Sequence, residues 1–82
     1  MGKLENVLAA ILRGTSDSNI TFAELRYALE ALGFEVRVKG DHFIYTKQSI
    51  AEIVNIQPLG SKAKAYQVKQ VRTLISKYKL AR

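Results

Sequence analysis

Cysteine is absent from the 82-residue chain, and histidine occurs only once. Without thiols the chain cannot form disulfides, thiolate zinc sites or a cysteine nucleophile. A single histidine also leaves few ligands for an ordinary transition-metal site, so we predict no metal and no cofactor. Glycine-rich phosphate loops and nucleophile-elbow patterns are missing as well. These absences argue against a metalloenzyme and against a disulfide-stapled secreted scaffold.

Long apolar runs are also missing. The longest near the N-terminus, Val7–Leu12, is far shorter than the roughly 20 residues of a membrane span, and no cleavage-like site follows it. We therefore expect a soluble, cytoplasmic protein without membrane partners. With 48% hydrophobic and 24% charged residues, the composition is that of a globular chain. We predict one domain over residues 1–82, in which a helix at residues 1–14 is appended to a core at residues 20–82.

Acidic residues are absent from Gln57 to the C-terminus, and this absence makes the charge one-sided. Residues 1–33 carry three basic and four acidic side chains, whereas residues 34–82 carry ten basic and three acidic ones, a net charge of +7. Such a distribution favours a polyanionic partner, most simply nucleic acid. The alternative is a solvated basic face that only keeps the protein soluble.

Two amphipathic helices are predicted in the first 33 residues. The apolar stripe of the first is Leu4, Val7, Leu8, Ile11 and Leu12, and that of the second is Phe22, Leu25, Ala28, Leu29 and Leu32. Gly14 stands where a left-handed residue would end the first helix. Thr21 and Glu24 have the spacing of a capping box for the second helix, which Gly33 can end.

A strand-like alternation follows. Residues 34–39 alternate apolar and charged side chains, which predicts a strand whose core-facing side is formed by Phe34, Val36 and Val38. Gly40–Asp41 is a turn sequence, and the β-rich run His42–Thr46 comes directly after it. The two runs are therefore predicted to pair as a hairpin.

A third short strand is predicted at Ile53–Ile56, ended by Pro58 and Gly60. The last element is a helix over Tyr66–Lys79, with an apolar face formed by Val68, Val71, Leu74, Ile75 and Tyr78. The order helix, helix, three-stranded meander, helix predicts a two-layer α+β fold. Its αβββα core has helices on one face of the sheet and leaves the other face open.

His42 is the one side chain whose reference pKa lies near neutrality. In a nuclease without metal, such a group removes the proton from the ribose 2′-hydroxyl so that the oxygen attacks the adjacent phosphate. Water, a lysine or Tyr45 would then protonate the leaving oxygen. The alternative is that His42 is an ordinary surface or packing residue.

The segment Gly60–Tyr66 precedes the last helix, so Lys62 and Lys64 can converge on a phosphate with the free N–H groups of that helix. An ordinary polar loop is the alternative. The full set of predicted RNA-backbone contacts is Lys39, Lys47, Lys62, Lys64, Lys69 and Arg72. Four tyrosines could stack on bases: Tyr27, Tyr45, Tyr66 and Tyr78. For Tyr27 and Tyr78 we favour packing.

Three segments together resemble the HicA family of toxins: ALGF at 31–34, VKGDHFIY at 38–45 and KAKAYQV at 62–68. The resemblance covers residues 21–80, and its most specific part is the Gly-x-His element at Gly40–His42. The family's element usually has Ser in the place of Asp41 and often a second His in the place of Phe43. The resemblance implies a fold similar to the double-stranded RNA-binding domain and a catalytic role for His42.

It further implies an mRNA interferase, the toxin of a bacterial type II toxin–antitoxin system, with a HicB-like antitoxin as partner. The leading hypothesis is therefore a metal-independent endoribonuclease. A non-catalytic RNA-binding module with the same fold is the second hypothesis, since the same basic helix would serve it. A protein-interaction domain whose basic surface is only solubilising is the third.

Overall fold

The structure, a computed structural model, describes residues 2–81 and has an α+β architecture. The helices are α1 (Lys3–Arg13), α2 (Phe22–Ala31) and α3 (Ala65–Tyr78), and a short 3-10 turn lies at Asp17–Asn19. The strands are β1 (Glu35–Lys39), β2 (His42–Lys47), β3 (Ile50–Ile56), β4 (Pro58–Leu59) and β5 (Lys62–Ala63). No helix in the described part of the chain has the length and apolarity to cross a membrane.

The ends of α2 follow the predicted capping chemistry. The Thr21 hydroxyl accepts a hydrogen bond from the Glu24 N–H at 3.0 Å, and the Glu24 carboxylate accepts one from the Thr21 N–H at 2.9 Å. Gly33 has a φ of 96°, which lets the Phe34 N–H donate to the Leu29 carbonyl at 3.1 Å. These contacts fix where α2 begins and where the chain turns into β1.

Strands β1, β2 and β3 form the predicted antiparallel meander in the order β1-β2-β3. Tyr45 of β2 lies opposite Val54 of β3, and both side chains are fully buried beneath the helices. The alternate residues of these strands, His42 and Asn55 among them, face the open side of the sheet. The helical layer thus shields one face, and polar side chains together with Ile44 and Ile53 occupy the other.

Val38 was predicted to pack in the core, and that prediction is wrong. Its side chain is 58% exposed, whereas Phe34 is buried and Val36 packs against the core. The reason is that β1 is an edge strand. Val38 pairs with Phe43, whose ring is already covered by Phe22 with a centroid distance of 5.1 Å, and the helical layer does not extend beyond it.

The third strand begins three residues earlier than predicted, at Ile50 rather than Ile53. The sequence pattern missed this start because Glu52 interrupts the run of β-forming residues. In the structure the Glu52 carboxylate accepts hydrogen bonds from Lys77 at 2.7 Å and from Tyr78 at 2.6 Å. These partners on α3 allow a charged residue inside the strand.

Pro58 and Gly60 do not simply end the sheet. Pro58 begins β4 of a second, two-stranded sheet, and Gly60 lies in the turn between β4 and β5. Pro58 is tolerated because it is the first residue of a very short strand, and Gly60 turns the chain with a φ of 62°. The Phe22 N–H donates to the Ser61 carbonyl at 3.0 Å. The segment before α3 is therefore a hairpin fixed to the start of α2 and not a loose loop.

Tyr45 lies at the centre of the helix–sheet interface. Its hydroxyl donates to the Glu30 carboxylate at 2.7 Å and accepts from Arg26 Nε at 3.0 Å. Burial, together with the hydrogen bond to Glu30, raises the pKa of Tyr45 from 10.0 to about 12. The folded state therefore holds this proton more tightly than the unfolded chain does.

This difference predicts a loss of stability at alkaline pH. The contribution of Tyr45 is fully present below pH 10, the unfolded value, and is lost as the pH rises to about 12. We expect the urea midpoint of the parent protein to fall more steeply across this range than that of Tyr45→Phe, which has no proton to lose. Parallel midpoint curves for the two proteins would contradict the assignment.

Candidate active site

His42 opens β2, directly after the Gly40–Asp41 turn. Gly40 has a φ of 62°, a left-handed conformation that favours glycine, and this keeps the turn tight. Lys39 is the cross-strand partner of His42, so the two side chains lie next to each other on one face of the hairpin. The histidine side chain is 45% exposed, which leaves it accessible to a ligand.

Two amide side chains contact the imidazole ring. Asn55 on β3 places its Oδ1 at 3.1 Å from Nδ1, and Gln57, just beyond β3, places its Nε2 at 3.2 Å from the ring Nε2. Both ring nitrogens therefore have a partner. The ring is held in one orientation although nearly half of the side chain is exposed.

Lys64 determines the direction of these hydrogen bonds. Its ammonium group can only donate, and it contacts Gln57 Oε1 at 3.4 Å. The amide group of Gln57 must then point its N–H toward His42, so the ring Nε2 accepts and Nδ1 carries the proton that Asn55 Oδ1 accepts. These contacts match the tautomer in which Nδ1 carries the proton and Nε2 the lone pair.

Gln67 holds the segment that carries both amides. Its side chain is 1% exposed, accepts from the Gln57 N–H at 3.2 Å and donates to the Asn55 carbonyl at 3.3 Å. These two backbone groups lie on the edge of β3 that has no neighbouring strand. Gln67 therefore satisfies them as a paired strand would.

Asp41 supplies the acidic group that contacts the ring. Its Oδ1 lies 3.9 Å from His42 Nε2, and its side chain is 69% exposed. An ion pair at this distance exists only when the ring is protonated. Asp41 is therefore placed to pair with a protonated ring.

Four of the six predicted RNA-contacting residues lie at the site or near it along the chain. Lys39 is opposite His42, and Lys64 is the N-cap residue of α3. Lys62 lies in β5, two residues before Lys64, and is half-buried. Lys69 is on the exposed face of α3, just over one turn beyond Lys64.

The other two basic residues lie elsewhere, and one of them, Arg72, has structural partners there. Lys47 is at the opposite end of β2 from His42, with its ammonium group against Gly33, where a Cβ atom would come within 2.7 Å of it. Arg72 donates to the Asp17 carboxylate at 2.8 Å and to the Ile11 carbonyl at 3.1 Å. Arg72 therefore joins α1 and the 3-10 turn to α3, and the structure does not bring either residue to His42.

The four tyrosines differ in how accessible their rings are. Tyr45 is fully buried with its hydroxyl bound by Glu30 and Arg26, so it can neither stack on a base nor protonate a leaving group at His42. Tyr78 is half-buried and donates to Glu52, as favoured from its place on the apolar stripe. Tyr27 is 36% exposed, with the Lys3 ammonium 4.7 Å from its ring centroid. Tyr66 is 65% exposed.

No pattern in the sequence predicts a functional role for Asn55, Gln57 or Gln67. Amide side chains do not titrate and belong to no spacing motif here, so they attract no chemical interpretation on their own. One signal was present for Gln67, which falls four residues before Val71 and therefore on the apolar stripe of α3. A polar residue at a buried helical position indicates a specific hydrogen-bonding partner.

Within residues 2–81, no group of three His, Asp or Glu side chains comes together in a way that could hold a metal ion. Comparison of the chain with protein-family models, with curated proteins and with solved structures gives no match. Inference about function therefore depends on the residues around His42.

The role of Gln67 predicts a large effect on stability. Gln67→Leu keeps the bulk of the side chain but leaves the Gln57 N–H and the Asn55 carbonyl without partners, at about 1–3 kcal/mol each. We expect urea denaturation to show a loss of about 2–6 kcal/mol. Gln70→Leu, on the same helix at a half-buried position, is the matched control and should change stability by less than about 1 kcal/mol. Equal losses for the two variants would refute the role of Gln67.

Proposed function

We propose that this chain is a metal-independent endoribonuclease in which His42 is the general base. The observation that carries the proposal is the polarity of the network from Lys64 through Gln57 to the ring. It matches an imidazole with the lone pair on Nε2, next to Lys39 and Lys64. A base of this kind, in a site without metal ligands, is suited to removing a proton from a ribose hydroxyl.

The reaction needs two proton transfers, one from the attacking 2′-hydroxyl and one to the leaving 5′-oxygen. His42 Nε2 accepts the 2′-hydroxyl proton as the 2′-oxygen bonds to the adjacent phosphorus, and the bond from phosphorus to the 5′-oxygen breaks. The products are a 2′,3′-cyclic phosphate and a 5′-hydroxyl. The 2′-hydroxyl replaces the amide group of Gln57 at Nε2, and Asp41 pairs with the resulting imidazolium.

Lys39 and Lys64 hold the phosphate and stabilise the negative charge that develops on its oxygens. The N-terminus of α3 adds free backbone N–H groups next to Lys64. Because the Tyr45 hydroxyl is buried, the proton for the 5′-oxygen comes from a lysine or from water.

The family we propose is that of the HicA toxins, with mRNA as substrate in the cytoplasm and a HicB-like antitoxin as inhibitor. Besides the residues at 31–34, 38–45 and 62–68, the element order supports it. The succession α2-β1-β2-β3, followed by the β4–β5 hairpin and α3, supports the proposal of a fold similar to the double-stranded RNA-binding domain.

Phe43, which stands where the family often has a second histidine, does not weaken the proposal. Its ring faces the helices, against Phe22 and with the Arg26 guanidinium 4.6 Å from its centroid. Because successive strand residues face opposite sides, a side chain at position 43 cannot share the surface of His42. His42, at the position of the first histidine of the family's element, is therefore the residue with access to RNA.

A non-catalytic RNA-binding module is the second candidate. The observation that favours it is that both nitrogens of His42 already have hydrogen-bond partners, as expected for a histidine that only supports the hairpin. Such a module would use Lys39, Lys62 and Lys64 for phosphate contacts without any cleavage.

Removal of the base separates the two candidates. We expect the parent protein to cleave RNA in EDTA and His42→Ala to do so about 10²–10⁴ times more slowly, the range for loss of a positioned general base. His42→Gln keeps most of the volume and should be equally slow. Thr46→Ala, at an exposed position on the same strand face, is the control with unchanged rate.

All four proteins should show the same melting temperature within a few degrees, because His42 and Thr46 lie outside the core. If folded His42→Ala and His42→Gln cleave as fast as the parent, His42 is not the base. If the parent itself does not cleave RNA but binds it, the non-catalytic module is the correct alternative.

The phosphate contacts predict a change in salt dependence. On a His42→Ala background, Lys62→Glu with Lys64→Glu should weaken RNA binding across sequences and flatten the plot of log affinity against log salt by up to about two units of slope. Lys3→Glu with Arg13→Glu changes the net charge equally but alters α1, away from His42. That control should retain most of the parent slope. Equal slopes for the two double variants would mean that only net charge acts.

A further inference from the structure

Tyr66 is the most exposed large hydrophobic side chain of residues 2–81, at 65%. It lies in the first turn of α3, two residues after Lys64. Neither reaction step proposed above uses it. An aromatic ring left uncovered beside a basic site has its π-face available for a planar ligand.

The ring is exposed but anchored at its tip. Gln67 Nε2 donates to the Tyr66 hydroxyl at 3.4 Å, and Gln67 is itself buried and bound to the backbone of Asn55 and Gln57. The Tyr66 ring therefore has a fixed attachment, although most of its surface is open. A ring fixed in this way loses little conformational freedom when a ligand stacks on it.

The same nitrogen of Gln67 connects Tyr66 to the site. It contacts both the Tyr66 hydroxyl and the Asn55 carbonyl, and the side chain of Asn55 holds His42 Nδ1. Lys64 precedes Tyr66, and Lys69 lies three residues later on the same helix face. Tyr66 thus has a lysine before it and a lysine after it along the chain. A base in a nucleic-acid strand likewise has a phosphate on each side.

We propose that Tyr66 is a stacking platform for an unpaired base next to the scissile phosphate, and that it makes the site selective for single-stranded RNA. The inference builds on the proposed nuclease function and adds its substrate conformation. Stacking on an aromatic side chain requires a base whose face is free, which a duplex does not offer. A double-stranded RNA-binding surface, in contrast, reads phosphates and 2′-hydroxyls and has no need of an exposed ring.

The test compares three variants on the His42→Ala background, which prevents cleavage during binding. Tyr66→Leu removes the ring, Tyr66→Phe keeps it without the hydroxyl, and Tyr27→Leu removes an exposed ring of α2 as the matched control. Anisotropy gives the affinities for one sequence as single strand and as duplex. A 2-aminopurine base in the single strand reports stacking through quenching of its fluorescence.

We expect Tyr66→Leu to weaken single-strand binding about 5- to 150-fold, the range for one aromatic–base stack, and to leave duplex binding unchanged. It should also lose the 2-aminopurine quenching. Tyr66→Phe should keep the quenching, and Tyr27→Leu should behave as the parent. Equal losses for single strand and duplex, or no loss for either, would overturn the proposal.

Cleavage assays with His42 intact distinguish this proposal from the nuclease assignment. If the parent cleaves RNA in EDTA and Tyr66→Leu binds and cleaves single strands as well as the parent does, only the stacking proposal fails. If the parent does not cleave RNA but Tyr66→Leu selectively loses single-strand binding, stacking stands and the nuclease assignment fails. A parent that binds neither RNA form overturns both.

Discussion

The site depends on the buried amide group of Gln67. Strand β3 has a free edge, and the backbone groups of Asn55 and Gln57 on that edge would otherwise have no partner in the sheet. One side chain satisfies both and ties the start of α3 to the end of β3. Because Asn55 and Gln57 in turn hold the two nitrogens of His42, the orientation of the imidazole depends on a residue that does not touch it.

Hydrogen-bond direction adds a second constraint. Lys64 donates to Gln57 Oε1, which turns the Gln57 amide N–H toward His42 Nε2 and matches the tautomer in which Nδ1–H donates to Asn55. In the proposed reaction the ribose 2′-hydroxyl displaces the Gln57 amide from Nε2. Losing that hydrogen bond costs little, because a neutral hydrogen bond contributes only about 1 kcal/mol net. A phosphate that draws the Lys64 ammonium away from Gln57 would also loosen the contact that occupies Nε2.

Local patterns predicted the fold better than the site. The capping box at Thr21 and the alternation after Gly33 depend on neighbours within a few residues, so α2 and the first hairpin could be predicted. The extension of β3 past Glu52 depends on Lys77, 25 residues away, and no local pattern contains that contact. His42 could be predicted as a candidate because histidine is the residue type with a reference pKa near neutrality. Its amide partners do not titrate and have no comparable signal in the sequence. Asp17, the partner of Arg72, lies 55 residues earlier in the chain. Because no local pattern contains this ion pair, the sequence predicts Arg72 as an RNA contact.

The net charge of the sequence does not predict the electrostatic potential at His42, because some basic residues form ion pairs and others do not. Arg72 and Lys77 are paired with Asp17 and Glu52. Among residues 2–81, Lys39, Lys64 and Lys69 form no ion pair, and they lie beside His42 or on the α3 turn that carries Tyr66. Positive charge without an acidic partner is thus found beside the imidazole and the exposed Tyr66 ring, although Arg37, Lys47 and Lys79 also form no ion pair within residues 2–81. A partner that uses all three features must combine a phosphate, a hydroxyl proton and an unpaired base, and single-stranded RNA has each of them.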